Sequence, residues 1–312
     1  MYGKWEKLYW LKAKKMLMWN ILNRYNFKSK IYRDVDLSSY TSFKIGGKAD
    51  LFIVPYSWEE LIFIIQTLKE HNFPIRIMGQ GTNILVPDEG IRGAVIKLNQ
   101  KLGKIEVIDS EHVEVESGCL ISTLLSFVLE KNMGGLEFMI GIPGTLGGAV
   151  MGNAGAFRRS VGEFVEGVYV IDENLEERFL DKKELTFNYR SSNIPRNWIL
   201  KKIILKLERK AKESALKEIK FFIQERNKKL PKYPSAGSVF KNPKEGPAAY
   251  FIDSLGFKGF RIGDAMVSHE HANIIVNLGR ARSRDVLNII DIVKTKVKEV
   301  YGIDLEPEII FW

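Results

Sequence analysis

The sequence predicts an α+β protein built from three unlike stretches. An apolar strand and a capped amphipathic helix open the first, near residues 50–71. Alternating strand patterns dominate the second, from about residue 100 to about residue 211. The third carries the clearest amphipathic helix in the chain, SRDVLNIIDIVKTKVKEVYG.

The elements follow in order. Asp50–Val54 (DLFIV) reads as a strand. SWEELIFIIQTLKEH begins a helix with Ser57 as N-cap and Glu60 three residues on, the spacing of a capping box. Ile75–Met78 is a short apolar strand that runs straight into GQGTNILV, and Ala94–Leu98 is another strand. HVEVES alternates as a strand does, and CLISTLLSFVLEKNMGG reads as a helix stopped by Gly134 and Gly135. Then comes GIPGTLGGAVMGNAG, with six glycines between Gly141 and Gly155. Each glycine costs backbone entropy on ordering, so neither helix nor strand is expected there. VEGVYVIDENLEERFLDKKEL looks like a hairpin turning at Glu173–Asn174, and WILKKIILKLERK is a long strand. RKAK (209–212) marks a boundary, and SALKEIKFFIQERNKK forms a helix running to Leu230. PKYPSAGSVFKNP is a proline-rich turn and ANIIVN a strand. In the final helix Val286, Ile289, Ile290, Val293, Val297 and Val300 form one face. Gly302 stops it, and LEPEIIFW ends the chain as a short strand.

Composition narrows the function classes. The 312 residues are 45% hydrophobic and 27% charged, enough for two or three domains with real cores. A formal net charge of +9 suits a polyanionic ligand without choosing among nucleic acid, nucleotides and an anionic membrane surface. The single cysteine, Cys119, excludes an intrachain disulfide and fits a reducing cytosol; its apolar neighbours make it core packing. No apolar run reaches the roughly 18–20 residues of a membrane span. Residues 1–30 mix Trp5, Tyr9, Trp10 and Trp19 with lysines and lack the features of a secretory signal. Terminal packing is expected for them; a basic aromatic helix lying on a membrane is the alternative. The lysine-rich patches lack interleaved aromatics, so nucleic acid is not expected as a partner. His269 and His271 stand two apart, but His71, His112 and Cys119 supply no third ligand at metal-site spacing, so no metal is expected.

The glycine stretches carry the stronger signal. Converging backbone N–H groups make a nest for anions, and glycine lets a phosphate approach. GQGTN (79–83) lacks the third glycine of GxGxxG, and no GxxxxGK[ST] occurs. Two glycine loops, each carrying an amide side chain (Asn83 and Asn153), fit a long ligand with a central diphosphate, such as FAD; tight turns with close strand packing explain them equally well. PSAGSVFKNP offers Ser238 as a proton donor beside Lys241 and Asn242, or else a plain turn with a surface lysine. Arg190, at the end of FNYR, has the fork that grips a carboxylate or phosphate, and a surface salt bridge explains it as well. Glu306 and Glu308 flank Pro307 with the spacing of one strand face. Glu308 is followed by four apolar residues, so burial is expected to raise its pKa.

Read in order, YTSFKIGGKAD, GQGTNILV, GIPGTLGGAVMGNAGAF, NYRSS, PSAGSVFKNP, HANIIVN and LEPEIIF resemble the MurB family of UDP-N-acetylenolpyruvoylglucosamine reductases, from about Leu37 to Phe311. The resemblance implies an N-terminal extension (1–33) and a first FAD-binding subdomain (34–99) joined by the C-terminal strand 304–312. A second, strand-rich FAD-binding subdomain (100–211) and a C-terminal α/β substrate domain (212–303) follow. The two subdomains together would have the FAD-binding fold of the vanillyl-alcohol-oxidase/PCMH type. The implied reaction takes electrons from NADPH to FAD. Flavin N5 then passes hydride to the enolpyruvyl group of UDP-N-acetylglucosamine enolpyruvate, giving UDP-N-acetylmuramate for peptidoglycan, cell shape and cell division.

By the same resemblance Ser238 donates the proton, Arg190 holds the carboxylate and Glu308 stabilises the developing charge. Gly79, Gln80, Gly81, Thr82, Asn83 and Ile84 would surround the cofactor. So would Ile142, Pro143, Gly144, Thr145, Gly147, Gly148, Asn153 and Ala154. Tyr189, Lys229 and Asn242 would bind substrate. A cytoplasmic monomer without stable membrane insertion is implied. Only SSNIPRN separates Arg190 from Trp198, which matches the shorter second type of reductase, without the loop whose tyrosine covers the UDP. Tyr233 or a segment of the third domain is expected to supply that cover. The competing readings are a flavin-dependent oxidase of the vanillyl-alcohol-oxidase-like class and a basic nucleotide- or RNA-binding protein.

Overall fold

In the computed structural model residues 2–228 and 230–312 are described, with side chains from Ala13 onward. Helix α1 (Tyr2–Asn23) leads in, and its Met18 and Leu22 are fully buried in one core with Trp58, Leu61 and Ile64. The first module follows: β1 (Lys30–Asp36), β2 (Lys48–Val54), α2 (Trp58–Glu70), β3 (Ile75–Met78), β4 (Ile84–Leu85) and β5 (Ile91–Lys97). Its sheet runs β1-β2-β5-β3, with β5 parallel to both β2 and β3. The boundary expected between residues 33 and 34 falls inside β1, which pairs antiparallel with β2 along its length. KIYRDVD has no buried residue, so an edge strand held by its backbone ladder left no apolar signature. At α2 only half of the capping box forms. Ser57 Oγ accepts the Glu60 N–H, while the Glu60 carboxylate takes the backbone N–H groups of Lys28 and Ser29 and the Ser29 hydroxyl.

The second module starts with β6 (Ile105–Val107), β7 (His112–Glu116) and α3 (Ile121–Glu130). The glycines expected to stop α3 do not. Asn132 takes the left-handed conformation (φ 53°), and β8 (Met133–Gly134) is already strand. Within the glycine-rich stretch a short helix, α4 (Leu146–Met151), forms against expectation. Thr145 Oγ1 caps it by accepting the Gly148 N–H. The helix tolerates Gly147 because a Cβ there would sit 2.6 Å from the Ser117 Cβ, so close packing offsets the entropy. After β9 (Gly155–Ala156) and β10 (Arg159–Ser160) the expected hairpin appears as β11 (Val165–Ile171) and β12 (Glu177–Asp181). The Asp172 carboxylate accepts the Asn174 and Glu176 N–H groups in its turn. A small hairpin, β13 (Phe187–Asn188) and β14 (Ser191–Ser192), precedes β15 (Ile199–Lys206) and β16 (Glu208–Arg209). The main sheet is antiparallel, in the order β12-β11-β15-β7-β6.

Helix α5 (Lys212–Asn227) ends before Leu230. Phe222 packs on the core of the second module and Arg226 donates to the Phe138 carbonyl, so α5 docks on that module although the expected boundary assigned it to the third. The third module comprises β17 (Ser235–Ser238), α6 (Ala248–Ser254), β18 (Arg261–Ile262), β19 (Ala265–Val267), β20 (Ile274–Asn277) and α7 (Ser283–Tyr301). Its sheet order is β17-β20-β19-β18. On α7 the expected face is buried except for Val300, which is 51% exposed beside the C-cap Gly302 (φ 70°). The chain end spans two modules. Ile303, Leu305 and Ile309 belong to the third core, while β21 (Ile310–Phe311) pairs parallel with β4 of the first.

Leu22→Ala removes a fully buried side chain shared by α1 and the first core. We expect a loss of about 2–5 kcal/mol, read from the urea midpoint. An unchanged midpoint would show that α1 is not an integral part of the module.

Candidate active site

The first and second modules line one cleft. The loop from Gly79 to Asn83 leaves the C-terminal end of β3, and the loop from Gly141 to Thr145 leads into α4. Although far apart in sequence, the loops touch. Thr82 Oγ1 donates to the Pro143 carbonyl at 3.2 Å, and a Cβ on Gly79 would come 2.5 Å from Thr145 Oγ1. Gly81 is left-handed (φ 65°), and a Cβ there would lie 2.5 Å from the Tyr40 carbonyl. None of the five backbone N–H groups from Gly79 to Asn83 donates to another described residue, and the same holds for Gly141, Gly144 and Thr145. The cleft holds about 540 Å³ between Gln80, Thr82, Ile142, Pro143 and Gly144. Tyr40, Ser42, Lys97, Leu120 and Ile121 also line it. Reading by glycine density missed these five, although YTSFKIGGKAD, quoted for its resemblance, contains two of them.

The two loop asparagines tie remote segments together. Asn83 Nδ2 donates to the Glu308 carbonyl at 3.0 Å, and its own carbonyl accepts the Ile310 N–H. Asn153 Nδ2 donates to the Asn188 carbonyl at 2.8 Å, while its Oδ1 accepts the Gly162 N–H. Each side chain is spent on backbone. Asn83 fixes the segment of Glu308, and Asn153 fixes the segment two residues before Arg190.

Arg190 and Glu308 meet. Arg190 occupies the turn between β13 and β14 with φ 57°, a conformation costly for a residue with a Cβ. Its Nε donates to Glu308 Oε1 at 2.6 Å and its Nη2 to the Gly155 carbonyl at 3.0 Å. The side chains are 24% and 18% exposed. Burial raises the Glu308 pKa above its ordinary 4.5; Arg190, by charge and hydrogen bond, and then Lys241 pull it down but do not cancel the burial. The Glu308 N–H donates to the carbonyl of Val239, the residue after Ser238. Ser238 ends β17 opposite Ile274, half-buried, and its hydroxyl has no partner among the described residues. Beside it Gly237 is left-handed (φ 76°), and a Cβ there would meet nothing within 4 Å.

The other candidates separate. The Tyr189 hydroxyl accepts the Asn242 N–H at 3.3 Å, and Asn242 Oδ1 accepts the Ala248 N–H. Lys229 lies outside the described residues. Lys241 does not polarise Ser238; its ammonium pairs with Glu306, which is 69% exposed. Glu306 and Glu308 therefore do not act as one pair, because Pro307 sits in an isolated bridge to Phe240 rather than in a regular strand. Cys119 is buried, with its thiol pushed up to about 12. His269 packs on Gly259, and His271 Nδ1 accepts the Asn273 N–H.

Known proteins show the same order of parts. An FAD binding domain model matches residues 49–176, and the C-terminal domain model of UDP-N-acetylenolpyruvoylglucosamine reductase matches residues 229–312. The relative of that name from Caldanaerobacter subterraneus subsp. tengcongensis is 41% identical over 284 residues, 90% of this chain and 93% of its own. The chain belongs to the UDP-N-acetylenolpyruvoylglucosamine reductase family. A reductase of the same name from Thermotoga maritima is 43% identical over 282 residues, 88% of this chain and 96% of its own. The crystal structure of the reductase (MurB) from Thermus caldophilus superposes with a TM-score of 0.77 at 34% identity, covering 92% of this chain and 99% of that one. As a member of this family the protein is a flavoprotein oxidoreductase of α+β fold, an FAD-binding part followed by the reductase C-terminal domain.

The residues present fit FAD. Eight backbone N–H groups of the two loops have no partner among the described residues, the cleft that Gln80, Thr82, Gly141 and Gly144 line also has Lys44 and Lys97 and no carboxylate, and a Cβ at Gly79 or Gly81 would collide with its neighbours.

Because the Glu308 pKa is raised on folding, the folded chain binds this proton more tightly than the unfolded chain does. Its contribution to stability is present at acid pH and fades as pH rises from 4.5 through the raised value. Arg190→Met removes the two largest opposing influences, so the Glu308 titration should move further up. Carboxyl NMR titration measures this; a downward move would refute the coupling.

Proposed function

We propose that this chain reduces UDP-N-acetylglucosamine enolpyruvate to UDP-N-acetylmuramate, with NADPH as the source of electrons and FAD as the carrier. The observation that carries the reading is the half-buried Arg190–Glu308 pair, held beside the Ser238 strand and the glycine loops in a member of this reductase family. The cytoplasm, where a soluble nucleotide sugar and NADPH are both at hand, is the proposed setting, with the chain working as a monomer.

When bound, the flavin supplies the hydride that adds to the terminal carbon of the enolpyruvyl group. Negative charge then builds on the neighbouring carbon and its carboxylate. Arg190 holds that carboxylate: Nε and Nη2 are engaged by Glu308 and Gly155, which aims the guanidinium and leaves Nη1 for the ligand. Glu308, biased towards its protonated form by burial, donates a hydrogen bond to the developing charge. Donors set in advance around such charge commonly contribute the largest share of catalysis. Ser238 delivers the proton to the carbanionic carbon. A hydroxyl is a weak acid, but a carbanion is a strong base, and no other described residue competes for this hydroxyl. Tyr189 and Asn242, tied through the Asn242 N–H, are assigned here to the substrate, as is Lys229, which lies outside the described residues. Tyr233, 52% exposed ahead of Ser235, is the proposed cover for the uracil. No observation favours the oxidase alternative, which has no use for a proton-donating serine.

Ser238→Ala should leave flavin reduction by NADPH unchanged and slow product formation by about 10²–10⁴-fold, measured as separate half-reactions by stopped flow. Equal loss of both half-reactions would remove Ser238 from this role. A purified wild-type chain without flavin absorbance would overturn the whole reading.

A further inference from the structure

Lys97 is a cation that the protein itself does not neutralise. It ends β5 and lines the cleft. Its ammonium donates to the Gly79 carbonyl at 3.3 Å and to Gln80 Oε1 at 3.1 Å, and lies 5.9 Å from the Tyr40 ring centroid. These acceptors are neutral, and no carboxylate pairs with it among the described residues. Burial pushes its pKa down, with no charge partner opposing. A partly desolvated charge is costly unless something of opposite sign meets it. The protein supplies no such group, because the cleft lining contains two lysines and no acid.

The acceptors identify what is missing. Both of Lys97's hydrogen bonds go to the glycine loop whose backbone N–H groups, from Gly79 to Asn83, have no protein partner. Five unpartnered amides in one loop, with an ammonium from β5 bonded to that loop, describe a site for a compact, multiply charged anion. We propose that Lys97 is a cofactor-binding residue whose ammonium closes a diphosphate site formed with the backbone N–H groups of Gly79–Asn83. The proposal rests on the flavoprotein reading, in which that diphosphate belongs to FAD. It separates Lys97 from Lys44, the other lysine of the cleft. Lys44 is exposed and reaches only the Ser39 carbonyl, so water screens its charge.

The test uses the full chain stripped of flavin and titrated with FAD. Lys97→Met keeps the length of the side chain and removes the charge. It should weaken FAD binding about 10- to 100-fold, as expected for losing a charged hydrogen-bond donor. Lys97→Arg should restore most of the affinity, and Lys296→Met, which removes an exposed cation of α7 outside the cleft lining, should stay within about 2-fold of wild type. The reduction potential of bound flavin should be the same in wild type and Lys97→Met. An unchanged affinity in Lys97→Met overturns the proposal. So does a fall in potential at constant affinity, which would put the ammonium at the isoalloxazine ring. If Lys97→Met does not fold, judged by its urea transition, Lys97→Gln takes its place with the same expectations. A wild-type chain that binds no FAD sinks the flavoprotein reading itself, whatever Lys97 does.

Discussion

Arg190 and Glu308 come from segments 118 residues apart, and their contact is the point on which three modules converge. The guanidinium comes from a two-residue turn of the second module. The carboxylate comes from a segment that bonds to Val239 of the third module through its N–H and to Asn83 of the first through its C=O. No one module contains the site. Glu308 is held on both sides by backbone hydrogen bonds, which fix its Cα where three modules meet and leave its side chain only 18% exposed. That constraint explains why burial outweighs the adjacent cation in setting its pKa. The loss of hydration is enforced by the backbone, whereas the attraction to a partner left 24% exposed is partly screened.

The glycine loops meet a different demand. A loop that binds an anion needs amides facing outward and no side chain in front of them, which leaves it with few contacts of its own. The protein offsets this through neighbours. Thr145 caps α4 and lies against Gly79, and Thr82 bonds across to Pro143. The two asparagines, which look like ligand groups in the sequence, donate to the Glu308 carbonyl and to the Asn188 carbonyl, two residues before Arg190. The loops are thus braced from behind, and through Asn83 and Asn153 they connect to the segments of Glu308 and Arg190.

Part of this was legible from residue order. Strong periodicity gave β2, α2, the hairpin of β11 and β12, and the buried face of α7, because burial on one side leaves a repeat that one can count. Elements stabilised by backbone pairing alone left no such repeat: β1 carries exposed side chains, and the hairpin of β18 and β19 is two or three residues per strand. Glycine was misread twice for the same reason. Gly147 looked like a loop residue and sits in a helix, because the close approach it permits is to Ser117, invisible without the fold. Gly134 looked like a helix stop, but Asn132, able to adopt the left-handed conformation, ends α3 first.

The sequence by itself determined the family and the chemical types of the site, since these depend on which residues are present and in what order; the burial that raises the Glu308 pKa came from the packing of the modules. Partnership was settled by the fold alone. Lys241 faces Glu306 instead of Ser238, the side chains of Asn83 and Asn153 donate to remote backbone carbonyls, and Lys97, unremarkable among 47 lysines and arginines, is the lysine of the cleft lining that bonds to the glycine loop. Electrostatic and hydrogen-bond energies fall off within a few ångströms, so they depend on distances between residues remote in the chain, and those distances exist only once the modules have packed.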